Sequence, residues 1–127
     1  MTEPIKLNKM RTSELTGAAL DWVIATCEGY SVSISESGEV IIMREGVVDY
    51  FDPHRNWGWG GPIIEREHIT LGWVVSNYLH VTGCWSGHIP QTNGKILYGP
   101  TPLVAAMRCY VSSKFGDEVA VPDELLS

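Results

Sequence analysis

The twelve residues Asn56 to Glu67 read NWGWGGPIIERE, an order that no ordinary core element needs. Trp57 and Trp59 offer large flat apolar faces. Gly58, Gly60 and Gly61 allow positive φ or close backbone approach. Pro62 follows, then two isoleucines and the charged triplet Glu65-Arg66-Glu67. By composition this is a loop. In the functional reading it is a ligand-binding wall, where an indole stacks on a planar group while glycine N–H groups or Arg66 meet an anion. In the plainer reading it is a structural loop whose tryptophans plug the core, and Glu65-Arg66-Glu67 is a solvated strand edge.

On the N-terminal side, Ile5-Lys6-Leu7 alternates as a short strand does, and Thr12-Ser13-Glu14 has the hydroxyl residues that start helices. Leu15, Ala18, Ala19, Trp22, Val23 and Thr26 then recur at helical spacing, which predicts a helix over about 13–28 ended by Gly29. Tyr30, Val32 and Ile34 alternate with serines, and the stretches 40–43 and 47–51 are apolar and separated by turns. Together they predict a three-stranded antiparallel meander. Asp52-Pro53 closes it.

On the C-terminal side, residues 69–80 fit a short helix or a buried strand equally well. Residues 84–90 read as a loop, Asn93-Gly94 as a tight turn, and Lys95 to Tyr98 as a strand. Thr101 is a good N-cap and Pro102 suits the first helical position. Leu103, Ala106, Met107, Tyr110 and Val111 share one face, and Gly116 is the expected stop. The fold class is therefore α+β: a small antiparallel sheet with an N-terminal and a C-terminal helix packed on one face. Residues 1–127 are read as a single domain.

Apolar content of 44% and charged content of 19% describe a globular chain rather than a disordered one. The net charge of −6 disfavours generic binding to a nucleic-acid backbone, which needs a basic field. Cys27, Cys84 and Cys109 are odd in number and far apart, so a reducing compartment is expected rather than a disulfide framework. No run approaches a membrane span, and the N-terminus has no apolar signal core.

Chemistry-bearing patterns are few. Tyr98-Gly99-Pro100-Thr101-Pro102 opens a helix, and such an end attracts phosphate or carboxylate, although every helix needs a cap. Arg108 lies about two turns further on, placed either to reach an anion or to join a surface ion pair. Gly94-Lys95 is not a phosphate loop, because the first glycine of that motif would fall on Ile89 and the residue after the lysine is Ile96. His80, Cys84 and His88 would align on a helix, but Gly83, Gly87 and Pro90 break one there, and no fourth ligand is evident. No nucleophile elbow is present, and neither a metal nor a cofactor is expected.

Three blocks carry a resemblance: TSELTGAALDWVIATCEG at 12–29, WGWGGPIIERE at 57–67, and YGPTPLVAAMRCYVSSKFGDEVAVPDEL at 98–125. Together they resemble the NinX-type family of bacteriophage proteins. Trp59 departs from the family's pattern, where a smaller polar residue is usual, and is set apart from the expected site. The resemblance implies a phage or prophage accessory protein acting in the host cytoplasm, and brings no agreed activity with it. Small acidic phage proteins of this kind commonly act by binding.

The expected function is non-enzymatic counter-defence by sequestering a nucleotide-derived signal, ADP-ribose-like or a cyclic nucleotide. The expected ligand-binding residues are Asn56, Trp57, Gly60, Gly61, Glu65, Arg66, Trp85, Tyr98, Thr101 and Arg108. The rival readings are a protein-interaction module that blocks a host enzyme or defence complex, and a nucleotide hydrolase. Five tryptophans exceed what one small core needs, so a homo-oligomer is expected.

Overall fold

A computed structural model describes residues 6–76, 81–90 and 94–126. Among them the chain forms β1 (Leu7–Arg11), a 3-10 turn (Thr12–Glu14), α1 (Gly17–Cys27), β2 (Ser31–Ile34), β3 (Val40–Arg44) and β4 (Val47–Tyr50). It continues with α2 (Trp57–Glu67), β5 (Thr70–Ser76), β6 (Val81–His88), β7 (Leu97–Gly99), α3 (Pro102–Phe115), β8 (Glu118–Pro122) and a closing 3-10 turn. The α+β class holds, but the described strands divide among three small antiparallel sheets: β1-β8, β2-β3-β4 and β5-β6-β7. The two ends of the chain pair with each other, Leu7 opposite Pro122 and Arg11 opposite Glu118.

The stretch 56–67 is a helix, not a loop. Asn56 caps it, its side-chain oxygen accepting from Gly58 N–H at 2.9 Å. Each glycine costs about 1 kcal/mol in a helix interior and a proline about 3 kcal/mol, so local propensity opposes this helix and tertiary packing must supply the difference. Two contacts do so. A Cβ on Gly60 would lie 2.5 Å from Leu103 Cδ2 and 3.0 Å from the Pro53 carbonyl oxygen, so the glycine lets α2 close onto the start of α3. Trp59 packs edge-on against Phe51 with ring centroids 5.1 Å apart, and its indole N–H donates to the Tyr50 carbonyl at 3.1 Å. Trp59 is thus an anchor of the helix against the meander. His68 ends α2 in the left-handed region.

Other boundaries moved for identifiable reasons. Helix α1 begins at Gly17 rather than near 13, because Thr12–Glu14 form a separate 3-10 turn and the backbone is extended at Leu15 and Thr16 before the helix starts; the Thr12 hydroxyl donates to the Gly116 carbonyl at 3.0 Å. Residues 70–76 are strand, and 77–80 lie outside the described residues, as do Ile5, His80 and Asn93 of the expected strand, metal set and turn. The expected loop at 84–90 is mostly strand β6. Its glycines serve close packing rather than a break. A Cβ on Gly87 would sit 2.7 Å from the Ala105 oxygen, and one on Gly99 2.7 Å from the Ala105 nitrogen, so α3 lies directly on the backbone of β6 and β7. Helix α1 packs against β2, β3 and α3. Leu20, Ile24, Ile42, Phe51, Met107 and Tyr110 belong to the buried cluster between them.

Candidate functional site

Helix α3 positions the most informative polar group. It is capped as expected, Thr101 Oγ1 accepting from Val104 N–H at 3.1 Å with Pro102 in the first turn. Two turns on, Arg108 lies half-buried beside the free edge of β7. Its Nε donates to the Leu15 carbonyl and one terminal nitrogen to the Tyr98 carbonyl, both at 2.7 Å. Among the described residues it forms no ion pair, and its remaining N–H groups find no partner there. Burial lowers its pKa, and the more distant Glu14 only partly opposes that. Arg108 lines a groove of about 490 Å³ with Ser13, Cys84, Ile96, Tyr98 and Pro100. Tyr98 is 41% exposed, so its ring is available to a planar group. This is a cation held by neutral carbonyls, bonded to no carboxylate among the described residues, in a groove that an exposed tyrosine also lines.

Arg66 is different. On α2, its two terminal nitrogens reach both Glu28 oxygens at 2.9 and 2.8 Å, and its Nε reaches Glu67 at 2.8 Å. The Tyr110 hydroxyl also donates to Glu28, at 2.6 Å. Burial pushes the Glu28 carboxyl up, but the bonds from Arg66 and Tyr110 outweigh it and leave the pKa lowered. Tyr110 moves up, through burial first and then through Glu28. Glu65-Arg66-Glu67 is therefore neither a strand edge nor an open anion site; Arg66 ties α2 to the end of α1 and to α3.

The other expected site residues separate. Asn56 and Gly60 are occupied in the cap and the packing of α2. Trp57 is exposed at the start of that helix, Gly61 faces open space, and Glu65 is exposed near its far end. Trp85 stands opposite Gly99 in the sheet while Tyr98 stands opposite Ser86. Successive side chains alternate faces, so Trp85 shares the face that carries α3 and Tyr98 points from the other. Trp85 meets Trp73 edge-on at 5.3 Å. Of the ten expected residues, Tyr98 and Arg108 line the groove.

Sequence reasoning missed the partners that close the groove, Ser13 and Cys84, because their proximity arises only in the folded chain. It also missed a pair 33 positions apart. Asp21, 3% exposed, accepts from the His54 backbone N–H at 3.0 Å and binds its Nδ1 at 2.6 Å. Burial raises the Asp21 pKa, and the bonds from His54 oppose that rise. The double attachment pins the turn before α2 onto α1, at the back of a smaller cleft of about 240 Å³. Among the described residues no group of three His, Cys, Asp or Glu side chains is arranged to hold a metal, and no helix is long and apolar enough to cross a membrane.

A family model described as Bacteriophage P22, NinX matches residues 11–114, which include α1, α2, the groove and nearly all of α3. No curated protein matches the chain.

Proposed function

The chain belongs to the bacteriophage P22 NinX family, and from that premise we propose that this phage accessory protein binds and sequesters a nucleotide-derived small molecule in the host cytoplasm, as a counter-defence device. The observation that carries the reading is Arg108: a half-buried guanidinium without a carboxylate partner among the described residues, bonded to the Tyr98 carbonyl and lining a groove that the exposed Tyr98 also lines. Keeping such a charge away from water is costly unless something compensates it, and an oxyanion does so with charge-assisted bonds. A base on Tyr98 adds stacking. The groove's volume falls within the range of small-ligand sites.

The test is calorimetry against cyclic nucleotides and ADP-ribose derivatives, with Tyr98→Ala and Arg108→Lys as controls. Saturable binding weakened by both variants is expected; no heat of binding across the panel sinks the reading. Heat denaturation of the loaded protein then separates a binder from a hydrolase, since a binder returns its ligand intact. Alkylation of Cys84 gives a second readout, because an occupied groove slows it.

One observation favours the protein-interaction reading. Met43, Val48 and Tyr50 on the β3–β4 hairpin are each more than half exposed and lie on one sheet face, away from the buried Val40 and Ile42. This reading predicts a stoichiometric host protein on co-purification, and a second copy of the chain by light scattering if the occupant is the protein itself.

A further inference from the structure

A second hollow of about 420 Å³ adjoins the groove, with Ser13, Ile96 and Leu97 lining both, so the two lobes lie side by side at the start of β7. Their chemistry differs. Among the described residues lining the first lobe, Arg108 is the one formal charge. The second lobe mixes donors and acceptors: Arg11 and Lys95 with Asp117 and Glu118, and the hydroxyls of Ser13 and Ser112. The Lys95 ammonium lies 3.0 and 2.9 Å from the two Asp117 oxygens, so its charge is already answered. Arg11 stands opposite Glu118 in the β1–β8 pairing, so the charges of this lobe balance as two against two. A wall with no net charge offers little to a second phosphate. It suits neighbouring hydroxyls, each of which donates and accepts at once.

We propose that the ligand has two parts: a ring-bearing oxyanion held by Tyr98 and Arg108, joined to a hydroxyl-rich, sugar-like half that lies in the second lobe. The proposal rests on the first lobe being the nucleotide site. Arg108 then positions the ligand through its one charged group, and the Lys95–Asp117 pair selects for what is attached to it. Both members of that pair are about 70% exposed, so the fold does not depend on them.

The experiment is calorimetry on the full chain with three probes: AMP, ADP and ADP-ribose. ADP-ribose is expected to bind at least tenfold tighter than ADP, about 1.4 kcal/mol. In the double variant Lys95→Ser, Asp117→Asn that gap closes, AMP affinity stays as it was and the thermal midpoint is unchanged. Equal affinities for ADP and ADP-ribose overturn the two-part ligand and leave the first-lobe reading standing, as does a double variant that weakens AMP equally. If none of the three probes binds saturably, the two-part ligand falls, and the reading beneath it falls with it only if the cyclic nucleotides also give no heat.

Discussion

Arg66 and Arg108 are the same side chain put to opposite uses. Arg66 has all three nitrogens on carboxylates, and it stacks over Tyr110 at 5.7 Å while Lys114 lies over the same ring at 5.6 Å. Its charge is used up inside the protein, in a clamp joining α1, α2 and α3. Among the described residues Arg108 has two bonds, both to carbonyls, and no carboxylate bonded to it. Carbonyl partners orient a guanidinium without neutralising it, whereas carboxylate partners do both. A cation is thus available to a ligand according to what else it touches, and exposure is a poor guide: Arg66 is the more exposed of the two and the less available.

The contrast can be broken at several points. The largest effect is expected where α3 sits on β7. Gly99→Ala drives a methyl into the α3 backbone and should cost about 3 kcal/mol in urea unfolding while also distorting the groove. A fully stable variant would mean that α3 is not seated as described. Next, Arg66→Met should cost about 2 kcal/mol, because Glu28 loses its charged hydrogen bonds while remaining mostly enclosed. Ligand affinity should not change, and an affinity loss would erase the distinction between the two arginines. Tyr98→Ala should do the reverse, weakening binding by about 1–3 kcal/mol while leaving stability within about 0.5 kcal/mol.

The smallest effect is a pH dependence. The Glu28 pKa is lowered, so its contribution is present above the ordinary carboxylate value of 4.5 and is lost as pH falls below it. Asp21 is raised and acts with the opposite sign, favouring the folded state at low pH and losing that contribution as pH rises. Glu28→Gln should therefore flatten the acid limb of the stability profile. An acid limb unchanged from the parent would show that the clamp does not titrate as described.

Legibility along the chain followed the range of the forces involved. Helix α3 was legible from Thr101, Pro102 and Gly116 because capping is local, and the β2–β3–β4 meander was legible because a period-two pattern lies within a few residues. Helix α2 was misread because three glycines and a proline argue against a helix, and the compensation comes from tertiary contacts, with Leu103 far along the chain and with Phe51 across the preceding turn. Strand β6 was misread for the same reason: Gly87 looks like a break until α3 is placed on top of it. For the site, Tyr98 and Arg108 could be named from a helix entrance and a spacing. Trp85 could not be assigned a face without the register that sets it opposite Gly99.

The amino-acid sequence by itself determined the α+β class, the capped C-terminal helix, the acidic charge that disfavours a nucleic-acid backbone, and the family. Those rest on composition, short-range pattern and matching blocks. Only the tertiary structure decided which arginine is available, that the tryptophan-glycine stretch is a helix, and that Ser13 and Cys84 share a groove with Arg108. Each of these depends on contacts between residues far apart in the chain, where the identity of a residue says what it can bond to and only its neighbours say whether that capacity is already used.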